Sequence, residues 1–172
     1  MKQLNFINNS LDTSKICKKQ EVNYWQLFID GASRNNPGPS GAGVYILKNE
    51  KPVCRNGFFL GIKTNNQAEY LALSLGIFCL KKHICKDDLV MIVSDSQLLV
   101  RQMLGEYKVK SPDLKQLFKL ANDLLQGINY NIMHVLRSEN KEADEMANIG
   151  IDGKKKVPHN FLKMLLNYEI QL

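Results

Sequence analysis

Tyr24-Trp25-Gln26-Leu27-Phe28-Ile29-Asp30 is a run of aromatic and branched residues that closes on an acid, the composition of a strand. The stretch after it, Gly31 to Gly41 (GASRNNPGPSG), is dense in Gly, Pro and Asn and reads as a tight loop rather than an element. Two more strands follow, around Gly43 to Lys48 and Val53 to Gly61, as a meander. Thr64-Asn65-Asn66 then caps a helix whose Ala68, Leu71, Ala72, Leu75 and Cys79 recur at three- and four-residue steps. Leu89 to Val93 reads as a buried strand that stops at Ser94-Asp95-Ser96. A short helix to about Leu104 and a longer one from about Pro112 to Gln126 come next. Asn129 to Arg137 alternates as a strand, and a last core helix starts near Ser138 to Asn140 and ends before Gly150. Three strands, then helix, strand, two helices, strand and helix, indicate an α/β chain: a mixed sheet covered by helices.

With 172 residues the chain suffices for one well-buried domain and is short for two. Its 44% hydrophobic and 23% charged residues exclude wholesale disorder. The longest apolar stretch, Tyr70 to Leu80, falls short of the roughly 20 residues that span a bilayer. Met1 to Glu21 lacks the continuous apolar core of a secretory signal. A cytoplasmic protein without a membrane partner is the expectation. Cys17, Cys54, Cys79 and Cys85 form no C-x-x-C pair and no metal-finger spacing with the histidines, so free thiols with no disulfide partner are expected. The charge of +6 and the pI near 9.1 suit a polyanionic partner such as nucleic acid. Residues 1–22 read as a basic arm and 23–150 as the core. Residues 151–172 read as a basic tail, in which Lys154-Lys155-Lys156 precedes a short amphipathic helix carrying Phe161, Leu162, Leu165 and Leu166, expected to pack back on the core.

Four acids stand where solvation explains them poorly. Asp30 and Asp95 each end an apolar strand, Glu69 lies in the first turn of a helix, and Asp144 in the first turn or two of another. Strand ends and helix starts in an α/β sheet commonly converge on one edge. Carboxylates meeting there repel one another and hold raised pKa values unless cations sit between them. Hard oxygen ligands favour Mg²⁺ or Mn²⁺, and two such ions about 3.5–4 Å apart activate a water and stabilise the leaving oxygen of a phosphodiester. Each acid also has a bland explanation: a turn for Asp30, a helix cap for Asp95, dipole complementation for Glu69, a solvated helix face for Asp144.

The surroundings of these acids decide between the two. Asp30-Gly31-Ala32-Ser33-Arg34-Asn35-Asn36-Pro37-Gly38-Pro39-Ser40-Gly41, Thr64-Asn65-Asn66-Gln67-Ala68-Glu69, Ser94-Asp95-Ser96-Gln97 and Glu139-Asn140-Lys141-Glu142-Ala143-Asp144 closely resemble the four motifs of type 1 ribonucleases H, in order and at workable spacing. The resemblance covers about Tyr24 to Gly150. It implies a ribonuclease H-like fold, with a five-stranded mixed sheet in order 3-2-1-4-5. It also implies hydrolysis of the RNA strand of RNA–DNA hybrids, leaving a 5′-phosphate and a 3′-hydroxyl. Carried over by position, Asp30, Glu69, Asp95 and Asp144 become the metal-binding and catalytic set, holding two Mg²⁺ or Mn²⁺ ions. Gly31, Asn36, Asn65, Asn66 and Gln97 become contacts to the hybrid, with Thr64 and Asn66 near a DNA-strand phosphate. Short amides suit a shallow minor groove, where the 2′-hydroxyl distinguishes RNA from DNA; turn and cap chemistry is their bland explanation.

The chain also departs from the family. Many members carry a mobile, glycine-flanked His ten residues before the last Asp. His134 has the spacing but is followed by Val135-Leu136, and a His within a strand is more often structural than catalytic. Arg137 resembles the Arg of the subgroup with an H-V-x-R-x-x-N-x-x-A-D pattern, which implies an auxiliary catalytic cation near the scissile phosphate; a salt bridge with Glu139 or Glu142 is the bland reading. Gly105 to Pro112 is too short for the basic protrusion of some members. Lys108, Lys110, Lys115 and Lys119 either compensate as phosphate contacts or form a solvated face. Asn35 stands where Gly is common and tolerates left-handed backbone angles. The resemblance leads to a nuclease, and a monomer is the expectation. The alternative is a non-catalytic nucleic-acid-binding module of the same fold, against which the presence of all four acids argues; an assembly protein using the C-terminal helix is a third.

Overall fold

The computed structural model describes residues 22–172; the basic arm expected over 1–22 lies almost wholly outside them. Five strands form one mixed sheet in the order β3-β2-β1-β4-β5, the order the family resemblance implies. β1 (Tyr24–Ser33), β2 (Gly38–Lys48) and β3 (Lys51–Lys63) make an antiparallel meander, while β4 (Leu89–Ser94) and β5 (Asn129–His134) add parallel to β1. The helices are α1 (Asn65–Leu80), α2 (Gln97–Met103), α3 (Pro112–Leu125), α4 (Lys141–Gly153) and α5 (His159–Leu166), with a 3-10 turn at Arg137–Glu139.

Alternate residues of β1 face opposite helices. Leu27 and Ile29 point at α1, where their side chains lie under Gly76. α1 is buried on nearly every side from Ala68 to Leu80, because α3 packs over its outer face; the expected single apolar stripe understates this. An all-round apolar helix belongs inside a fold. α4 lies on the other face, over β2 and β3. α5 buries Phe161 and Leu165, with Phe161 edge-on to Phe78 at 5.4 Å between ring centroids.

Several boundaries differ from the sequence reading. Most of Gly31–Gly41 is paired strand: Gly31 to Ser33 continue β1, Gly38 to Gly41 begin β2, and only residues 34–37 turn. Within that turn Asn35 takes φ +70°. The glycines there serve close packing more than turning, for Gly31 meets the backbone of α1 and Gly41 that of α4. Asp30 therefore sits inside a strand and not at its end. β5 stops at His134 rather than Arg137, since Arg137 begins the 3-10 turn. α4 runs through Gly150, which is no terminator: a Cβ there would lie 2.6 Å from the Phe58 backbone. No described helix is long and apolar enough to cross a membrane. Among the described cysteines, Cys54, Cys79 and Cys85 are free thiols.

Candidate functional site

Asp30, Glu69 and Asp95 come together, each offering an oxygen within 4.8 Å of the others. Asp30 is buried on the central strand, and Asp95 follows the last residue of β4, its parallel neighbour. Glu69 reaches the same point from the second turn of α1, not the first as expected from sequence. Its Oε2 accepts the backbone N–H of Gly31 at 3.2 Å. That approach requires glycine, because a Cβ at position 31 would lie 2.1 Å from the Glu69 nitrogen.

Asp144 stands beside this trio without joining it at that spacing. It lies in the first turn of α4, where Oδ1 accepts from the Arg137 guanidinium and the side-chain amide of Asn148 donates to its backbone carbonyl at 2.9 Å. Arg137 thus pairs with Asp144 and with neither Glu139 nor Glu142: Glu142 binds Arg55 at 2.9 Å, and Glu139 accepts the Leu136 N–H. Asp95 does not cap α2; Ser96 does, its hydroxyl accepting from Leu99 N.

Burial first, then the charges of Asp95 and Asp144, pushes Asp30 up to about 7, against the opposing pull of Arg137. Burial, then Asp30 and Asp95, raises Glu69 well above the usual carboxylate range, although the Gly31 N–H and Arg137 oppose it. These are acids withdrawn from water and then crowded by like charge, with too little compensation. Three hard oxygen donors at this spacing fit Mg²⁺ or Mn²⁺ and would be relieved by such an ion.

A cleft of about 460 Å³ opens over the acids, lined also by Gly31, Ala32, Ser33, Asn65 and the segment from His134 to Arg137. Thr64 caps α1 in a reciprocal box with Gln67. The Asn36 side-chain oxygen accepts the Asn65 N–H at 3.0 Å, tying the hairpin turn to the helix start. Asn66 and Gln97 are exposed at the starts of α1 and α2; like Asn36 and Thr64, they fall outside the cleft lining. His134, weighed as structural in the sequence, ends β5 with Nε2 3.2 Å from the Asp95 carbonyl oxygen, on the cleft wall. Lys108, Lys110, Lys115 and Lys119 are not among the residues that line this cleft. Lys119 sits over the Tyr168 ring. Sequence reading missed Asn140, whose amide donates to Asp95; its place inside the fourth motif was the available signal.

A family model described as "Reverse transcriptase-like" matches residues 28–150. "Ribonuclease HI" of Halobacterium salinarum is 36% identical over 127 residues, covering 73% of this chain and 63% of that protein. "Ribonuclease H" of Coxiella burnetii is 34% identical over 151 residues, covering 78% and 94%. Similar mycobacterial proteins are longer still, and the chain spans 34% of their length. Among solved structures, LC11-RNase H1 in complex with RNA/DNA hybrid superposes with a TM-score of 0.70 at 36% identity, covering 76% of this chain and 97% of that one.

Proposed function

The chain belongs to the type 1 ribonuclease H family, and from that premise we propose that it is an endoribonuclease that hydrolyses the RNA strand of RNA–DNA hybrids, leaving 5′-phosphate and 3′-hydroxyl ends. The observation that carries this reading is the convergence of Asp30, Glu69 and Asp95 within 4.8 Å, with Asp144 near enough to raise the Asp30 pKa. These four would hold two divalent ions, Mg²⁺ or Mn²⁺. The chemistry such a pair supplies when bound is activation of a water and stabilisation of the leaving oxygen. The protein's part is to keep the four carboxylates oriented and close together at that point.

Arg137, always charged and with a side chain 75% exposed, supplies a cation for the scissile phosphate or the product. On this reading the chain falls in the subgroup with the H-V-x-R-x-x-N-x-x-A-D pattern. The amides of Asn36, Asn65, Asn66 and Gln97 face the hybrid's minor groove, Gly31 offers backbone at the cleft floor, and Thr64 with Asn66 meets a DNA-strand phosphate. The similarity to LC11-RNase H1, a protein solved with RNA/DNA hybrid bound, supports that choice of substrate. Catalysis belongs to residues 23–150, with 1–22 as a basic arm and 151–172 closing the core through Phe161 and Leu165. The protein works as a cytoplasmic monomer.

The test is cleavage of a labelled RNA–DNA hybrid with Mg²⁺ or Mn²⁺ by wild type and Asp95→Asn, beside DNA-duplex, RNA-duplex and chelator controls. Cutting of only the hybrid's RNA strand, lost in the variant, is expected. Hybrid binding without metal-dependent cutting by the folded wild type would promote the non-catalytic binding module instead.

A further inference from the structure

Asn140 is 1% exposed at the start of α4, yet its side chain does not cap that helix. Its Nδ2 donates to the Ile29 carbonyl at 2.9 Å and to Asp95 Oδ1 at 3.2 Å. Its Oδ1 is buried with no partner. Turning the amide over would not help, because the oxygen would then face two acceptors. An unsatisfied buried acceptor costs roughly 1–3 kcal/mol, and a residue without a side-chain acceptor would avoid that cost. What the amide gains is a junction. It holds the main chain just before Asp30 and one oxygen of Asp95. Its own backbone carbonyl accepts the backbone N–H of Asp144 at 3.1 Å. Three of the four acids are therefore referred to one residue. The donor is neutral, so Asp95 is oriented without its charge being cancelled.

We propose that Asn140 is a positioning residue, fixing the Asp95 carboxylate and its spacing from Asp30 and Asp144 for divalent-cation binding. The inference rests on the reading of these acids as a cation site. Partners that orient metal-binding carboxylates typically contribute 10–100-fold to metal affinity or activity when removed.

The test is calorimetric titration of Mn²⁺ into the metal-free full chain for wild type, Asn140→Ala, Asn140→Ser and Asp95→Asn. Thermal midpoints and the split of kcat from KM on a hybrid are measured alongside. Both Asn140 variants are expected to bind Mn²⁺ roughly 10–100-fold more weakly, with hybrid KM little changed and the loss in kcat partly restored by excess Mn²⁺. Asn140→Ser keeps a small polar group in the same space and reads the same loss should Asn140→Ala not fold. Wild-type Mn²⁺ affinity in a folded Asn140 variant, with only the thermal midpoint lowered, would reduce Asn140 to a structural brace and overturn the proposal. Wild-type affinity in Asp95→Asn would instead overturn the cation-site reading, and this inference with it.

Discussion

Gly43 lies directly under Ala143: a Cβ at Gly43 would sit 1.9 Å from the Ala143 carbonyl oxygen. Gly43 is also the register partner of Asp30, and Ala143 precedes Asp144. The missing side chain thus sets how closely α4 brings its acid to the central strand. Gly43→Ala must push the helix off the sheet, since the obstacle is backbone and not a flexible side chain. The expected loss of stability is about 1–3 kcal/mol, read from the urea midpoint. Hybrid cleavage should fall by up to about 10²-fold, the scale of an ångström-sized misplacement. An unchanged midpoint and rate would contradict this account of α4 packing.

Burial of Asp30, and then the crowding of the carboxylates around it, predicts that neutralising this acid stabilises the metal-free protein. Asp30 has a pKa pushed up to about 7 by burial and then by Asp95 and Asp144, whereas an unfolded Asp titrates near 4. At pH 8 the folded state has given up a proton that its environment favours keeping, so the ionised group weakens the fold. Asp30→Asn in chelator at pH 8 is therefore expected to raise the thermal midpoint. The same variant should lose most of the midpoint gain that Mg²⁺ gives wild type. A lower midpoint in chelator, with the Mg²⁺ gain intact, would show that the buried charge of Asp30 does not weaken the metal-free fold.

The element order was legible because each apolar run is bounded by turn or cap residues, and Asp30 and Asp95 were conspicuous as the acids that interrupt such runs. The sheet order came from the family resemblance, not from periodicity. Strand extent was poorly legible around Gly31 to Gly41, for a glycine that lets a helix approach looks the same in sequence as one that turns the chain. Gly150 misled for the same reason. Its place in the fourth motif marked Asn140 but not its role, because its partners are Ile29, 111 positions away, and Asp95, 45 away. Only the folded sheet makes them neighbours. Glu69 and Asp144 could be assigned to helix starts, but not their different closeness to Asp30.

Arg137 offers a prediction in which activity and stability separate. Its side chain is 75% exposed and pairs with the 26%-exposed Asp144, and an ion pair this open to solvent contributes about 0–1 kcal/mol. Arg137→Ala should leave the thermal midpoint nearly unchanged. If the guanidinium serves the scissile phosphate or product, kcat should drop roughly tenfold or more, with Arg137→Lys restoring part of it. Wild-type kcat in Arg137→Ala would remove Arg137 from the catalytic set.

Asp88 governs acid stability from the opposite end of β1. It is buried and accepts four hydrogen bonds: from the Trp25 indole at 2.8 Å, the Asn23 backbone N–H and the Cys85 N–H at 3.0 Å each, and the Asn23 amide at 3.1 Å. Burial alone would raise its pKa. The N–H donors of Cys85 and Asn23, then the Trp25 and Asn23 side chains, outweigh that and lower it to about 2. The unfolded state therefore binds the proton first as pH falls. Stability from this group is complete above about pH 4 and is lost as pH drops toward 2, a change of about 2 kcal/mol. Asp88→Asn places an amide among four donors and accepts with one oxygen only, so it should be less stable than wild type at neutral pH. Its deficit should shrink between pH 4 and pH 2, while hybrid cleavage at neutral pH and permissive temperature stays near wild type. Chemical denaturation across pH 2–7 measures both. A deficit constant across that range would mean that packing, and not the charge of Asp88, ties the start of β1 to the loop before β4.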